Sequence, residues 1–215
     1  MTPQETHELV KAEVHRLGPV VFEGMSTSIA SAAKRAKGLD HSECPHLRPL
    51  IVRTELRRYL KREGLPDDWT IGGNPALMGQ INLVNKQAGL QLRVLKERSR
   101  TYPGGVPTAG RSPKRQEYWT APLFLMPGGR SGRLSELLLL WDYASVQKVA
   151  EGFTIRVVHP TESGDYGRKV RCDMDFAIMP GGTVFETLVF QGDEDPVNFF
   201  DAEIDEVEDD ADADG

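Results

Sequence analysis

Two cysteines, Cys44 and Cys172, are too few in 215 residues for a disulfide framework, and they fit a chain kept in a reducing compartment. Long apolar runs are missing too. The longest, Leu137–Trp141, falls far short of the ~20 residues that a membrane-spanning helix needs. The N-terminal stretch carries Glu5, Glu8 and Glu13 and no continuous apolar segment, so no secretory leader is expected. These absences together point to a cytoplasmic protein with no membrane partner. No catalytic signature is visible, and neither a cofactor nor a resident metal is expected.

Basic residues are absent from the C-terminal end. Residues 193–215 hold 12 acids and no Lys or Arg, which leaves all 26 basic residues and 20 acids in residues 1–192. The body is therefore +6 and the tail −12, within a chain of net charge −6. An acidic tail on a basic body can screen or compete for a polyanion site, and it also serves as a plain solubilising extension.

What is present is ordinary globular material, 39% hydrophobic and 27% charged, enough to bury a sizeable core. Thr2, Pro3 and Glu5 form a capping box before a helix carrying Leu9, Val10, Val14 and Leu17. Gly18-Pro19 is expected to stop it, and an alanine-rich second helix should run from Pro19 to Gly38. The loop His41-x2-Cys44-x-His46 matches no regular zinc spacing and reads as a polar loop before the next helix. Leu47–Arg62 is a strong amphipathic helix whose outer face includes Arg57 and Arg58, suited to a phosphate backbone or to solvent. A further helix is expected over 75–88, buried through Leu77, Ile81, Val84 and Ala88. It would turn Asn82, Asn85 and Lys86 outward, where such residue types can read base edges and phosphates.

Strands are expected at Leu90–Leu95 and Tyr118–Met126, joined by a basic, Gly/Pro-rich loop over 96–116. That loop and its approach carry Arg93, Lys96, Arg98, Arg100, Arg111, Lys114 and Arg115 against the single acid Glu97. Tyr102 lies within it, with Tyr118 and Trp119 just beyond, so basic groups alternate with rings on which bases could stack. The order helix, strand, long loop, strand over 47–126 is compatible with a winged-helix-like arrangement. Gly105–Ser112 mimics a phosphate-binding glycine loop with Arg111 in the lysine position. Such a loop needs a helix directly after it, whereas Pro113 and a strand are expected here.

The rest reads as strands: Arg133–Tyr143 (with a helical alternative over Leu134–Trp141), Phe153–His159, Lys169–Met179 and Thr183–Gln191. A short helix is expected at Ser145–Glu151. The tetrapeptide Met126–Gly129 recurs as Met179–Gly182, each time as a turn. Alternation along Arg171–Phe176 puts Asp173 and Asp175 on one strand face. There they could hold a divalent metal with Asp142, His159 or Glu186, or simply pair with Arg156 or Arg171. Phe200, Ile204 and Val207, with Phe199 beside them, form an apolar stripe in the acidic tail suited to docking on a partner protein.

The expectation is an α+β protein in three parts. A helical part covers 1–66, a mainly antiparallel strand-rich body 67–192, and a disordered acidic tail 193–215. Three functions are compatible with it. The first is a non-enzymatic nucleic-acid-binding or accessory protein using the basic helix and loop, tuned by the tail. The second is a protein–protein adaptor docking through 199–207. The third is a metal-dependent hydrolase or nuclease built on Asp173 and Asp175.

Overall fold

The computed structural model describes residues 3–39, 43–123, 134–144, 152–182 and 184–185. Among them the chain is α+β. Two long helices, α1 (Pro3–Arg35) and α2 (Leu47–Glu63), lie on one face of a seven-stranded sheet, and a short helix, α3 (Pro113–Thr120), lies on the other. The strands are β1 (Trp69–Gly72), β2 (Asn82–Asn85), β3 (Leu90–Lys96), β4 (Ser135–Tyr143), β5 (Phe153–Pro160), β6 (Cys172–Ile178) and β7 (Val184–Phe185), side by side in sequence order. Every neighbouring pair is antiparallel except β3 and β4. Those two run parallel because the crossover through α3 returns the chain to the end where β3 began. No described helix is long and apolar enough to cross a membrane.

The Gly18-Pro19 pair does not end the first helix, which continues through it to Arg35. The buried stripe Val10, Val14, Leu17, Val21, Met25, Ser28 and Ala32 keeps its helical phase across the proline. Pro19 itself faces solvent, so the hydrogen bond it forfeits is lost on the wet side. Burial outweighs a single helix breaker. α1 then crosses α2 at Gly24, where an added Cβ would lie 2.7 Å from the Tyr59 ring and 3.0 Å from Leu56.

The helix expected over 75–88 does not form. β1 and β2 make a hairpin there, and the buried residues Ile81, Leu83 and Asn85 follow the two-residue period of a strand. Asn74 accepts the Ala76 N–H on its side chain (3.0 Å), and Gln80 accepts the Asn74 N–H (3.0 Å), so local turns take the place of helical bonds. The strand expected from Tyr118 is likewise the end of α3. Ser112 caps that helix and Pro113 occupies its first turn. With a turn at 75–81 and a helix at 113–120, the described residues of 47–126 do not follow the winged-helix-like order.

One core cluster joins α1, α2 and the inner faces of β1 to β6, including Val14, Leu56, Trp69, Leu92, Trp141 and Phe176. The helical and strand-rich parts thus share a core. A second cluster on the opposite face contains Val106, Ala109, Tyr118, Trp119, Leu138, Leu140, Val158 and Val170. It is roofed by the crossover segment and the β5–β6 connection. The second Met-Pro-Gly-Gly copy is a tight turn with Gly181 at φ +77°; the first lies outside the described residues. Ser145–Glu151 and Phe199–Val207 lie outside them as well.

Candidate nucleic-acid interface

The basic residues singled out in the sequence divide between the two faces of the sheet. Arg57 and Arg58 belong to α2. Arg57 is engaged structurally: Nη1 donates to the carbonyls of Gly72 (2.9 Å) and Gln80 (3.0 Å), and Nη2 to that of Gly73 (3.4 Å). It gathers the β1–β2 hairpin onto the helix. Arg58 is exposed. Asn85, expected at the surface, is 1% exposed; it donates to Glu13 (2.9 Å) and accepts the Ala88 N–H (2.8 Å). Asn82 is half-buried in β2. Lys86 is exposed in the β2–β3 turn, at the opposite end of β3 from the basic loop. These three residues do not form one outward helix face, because no helix carries them.

The basic loop has a defined path across the second face. Arg98 N–H bonds the Gly105 carbonyl (2.9 Å), and the Thr101 and Tyr102 N–H groups return to the Arg98 carbonyl (3.0 and 2.8 Å). Tyr102 and Val106 are buried. Trp119 Nε1 donates to the Pro107 carbonyl (2.9 Å), and Tyr118 donates its hydroxyl to the Leu137 carbonyl (2.9 Å). Burial pushes the Tyr118 phenol far above its usual range. Arg115 is half-buried, donating to the Thr108 carbonyl (3.3 Å) with its guanidinium 5.2 Å from the centre of the Trp119 ring. Lys96 pairs with Asp142 (3.1 Å) and lies 5.9 Å from the Tyr143 ring centre. Arg100, Arg111 and Lys114 are exposed and Arg98 partly so.

Gly105–Ser112 is followed by a helix after all, yet it does not form a phosphate cradle. Its Ala109 N–H is given to the Ser163 carbonyl (2.8 Å) and its Gly105 N–H to Tyr102 (2.8 Å). Pro113 brings no donor, and the Arg115 N–H is capped by Ser112 (3.5 Å).

Beneath the loop lies an ionic latch, buried at Glu97 and open to solvent at Asp175. Arg156 of β5 donates from Nε to Glu97 (2.6 Å), from Nη1 to Asp175 (2.6 Å) and from Nη2 to the Gly104 carbonyl. Burial pushes the Glu97 carboxyl up, and Arg156 pulls it back only in part. Asp175 behaves the same way. Ser99 adds a hydrogen bond to Asp142 (2.9 Å). The loop's lone acid is thus turned inward and neutralised.

Asp173 and Asp175 serve different partners. Asp175 pairs with Arg156, whereas Asp173 accepts from Nδ1 of His159 (2.6 Å), whose Nε2 faces the Ala121 carbonyl (2.9 Å). A register shift at His159/Pro160 marks that corner. Burial raises the Asp173 carboxyl pKa, but the His159 hydrogen bond and charge outweigh it and leave the group below its usual range. Among the described residues, no group of three or more His, Cys, Asp or Glu side chains is placed to hold a metal ion. The Cys172 thiol is pushed up to about 12, by burial first and then by Asp175, so it is not an activated nucleophile.

The β5–β6 connection contributes Tyr166, Arg168 and Lys169, which sequence reasoning missed, beside Arg171, which it weighed only as a partner for Asp173 and Asp175; all four are exposed. The run Tyr-Gly-Arg-Lys was a local signal of the same kind as the crossover loop, but its position against that loop depends on long-range packing. Compared with known proteins, the chain matches no family model, no curated protein and no solved structure.

Proposed function

We propose that this protein binds nucleic acid through the basic roof of the sheet, without acting on it chemically, and that the acidic segment 193–215 competes for the same surface. One observation carries the reading. Residues 98–116 contain five basic residues and no acid, and the neighbouring Glu97 is buried against Arg156 instead of opposing them. The outer surface of the loop therefore carries Arg100, Arg111 and Lys114 as exposed side chains, with Glu117 the next acid along the chain. Phosphate neutralisation would supply most of the affinity and make it fall steeply with salt. The compact, internally bonded loop supports this, since an ordered loop loses less entropy on binding than a free one.

The test compares two sets of neutralised positions. Arg100→Gln, Arg111→Gln and Lys114→Gln should each weaken binding across all sequences and lower the salt slope by about one. Arg58→Gln and Lys61→Gln, on the opposite face, should leave binding nearly unchanged. Equal losses from both sets would remove the roof from the account.

A further inference from the structure

Tyr166 is 82% exposed, the most exposed large apolar side chain among the described residues, and it stands on an internally hydrogen-bonded loop. The connection that carries it is closed at its base by Thr161 N–H to the Arg171 carbonyl (2.9 Å) and Arg171 N–H to Glu162 (3.0 Å). A turn from Asp165 to Arg168 (3.1 Å) encloses Tyr166 itself. The connection is joined to the crossover loop at three points. Ser163 accepts the Ala109 N–H, the Lys169 stem lies along Gly104, and the Tyr166 ring meets the buried Tyr102 ring edge-on, with centroids 6.0 Å apart at 79°. Tyr102 is itself fixed, its hydroxyl oxygen accepting from Thr108 (3.2 Å).

Two loops more than fifty residues apart thus form one surface. An aromatic ring stands on it, braced along one side by a buried ring. Arg168, Lys169 and Arg171 lie on its own loop, with Arg98 and Arg100 on the loop of its supporting tyrosine. The acids of the connection, Glu162 and Asp165, pair with Arg171 (3.5 Å) and Arg168 (3.7 Å), so three bases against two acids leave the connection at +1. A braced, exposed ring among cations matches the requirements of an unpaired base, which offers a π-face to stack on and a phosphate on either side. A duplex keeps its bases stacked internally and offers this ring nothing comparable.

We infer that Tyr166 is a stacking platform and that the ligand of this surface is single-stranded nucleic acid. This rests on the nucleic-acid reading above. The experiment uses the full chain and measures binding of a labelled single-stranded oligonucleotide and of its duplex at fixed salt, for wild type, Tyr166→Ala, Tyr166→Phe and Arg100→Gln. Tyr166→Ala should lose about tenfold on the single strand, as expected for one stacked base, and little on the duplex. Tyr166→Phe should retain binding, and the salt slope of Tyr166→Ala should equal that of wild type. Tyr166→Trp gives an independent readout, since its fluorescence should be quenched on single-strand binding. If Arg100→Gln weakens binding while Tyr166→Ala does not, or if Tyr166→Ala weakens strand and duplex equally, the stacking inference falls and the phosphate reading stands. If wild type binds neither nucleic acid at low salt, both fall.

Discussion

Arg156 and Glu97 meet at 2.6 Å, with side chains 12% and 10% exposed, and this contact ties the centre of the sheet to the first residue of the basic crossover. Removing one partner of such a pair leaves the other charge buried and uncompensated, which costs more than the pair contributes when intact. Arg156→Met should therefore destabilise the protein by about 3–5 kcal/mol in urea unfolding. Arg156→Met combined with Glu97→Gln should be more stable than Arg156→Met alone. A double variant no better than the single one would mean that Glu97 is not the charge that matters.

Gly24 sits where α1 meets Tyr59 and Leu56. Helix propensity alone favours alanine there by about 1 kcal/mol. Overpacking of a close helix crossing works against it by about 1–3 kcal/mol. Gly24→Ala is expected to lower the melting temperature, and to lower it less in a Tyr59→Leu background, where the ring is gone. A stabilising Gly24→Ala in the wild-type background would show that the helices can separate at little cost.

The His159–Asp173 contact gives a pH dependence of defined sign. Asp173 has a folded-state pKa below the ordinary aspartate value of 3.8, so its contribution is present above that value and is lost as pH falls through the lower, folded one. The stability difference between wild type and Asp173→Asn should shrink as pH falls below about 4. A difference unchanged down to pH 3 would show that the carboxylate contributes nothing through its charge.

Much of the fold is legible in the sequence where pattern and burial agree. α2, β3 and β5 lie within a residue or two of their expected bounds, and Arg156, one of the two arginines expected to pair with the Asp173/Asp175 face, does pair with Asp175. The errors have physical causes. Gly18-Pro19 is a strong local stop, but the apolar stripe on either side is in phase and its burial overrides the break. Leu77, Ile81, Val84 and Ala88 imitate a helical stripe, while the buried alternation includes Asn85, a polar residue that no apolar count would place inside. At α3 the start signal Ser112-Pro113 was present, and the strand preference of Tyr118 and Trp119 concealed it. The candidate surface was half legible. Arg98, Arg100, Arg111 and Lys114 are evident as a basic run, but the meeting of Tyr166 with Tyr102 of that loop depends on contacts between loops remote in sequence.

The most direct measurement is binding of labelled single- and double-stranded DNA and RNA across a salt series, by the full chain and by a chain ending at Gly192. The account predicts binding that falls steeply with salt and becomes tighter, most visibly at low salt, when the 12 acids of residues 193–215 are removed. No binding by either chain at low salt would contradict the central claim. Binding that ignores both salt and the acidic segment would contradict it equally.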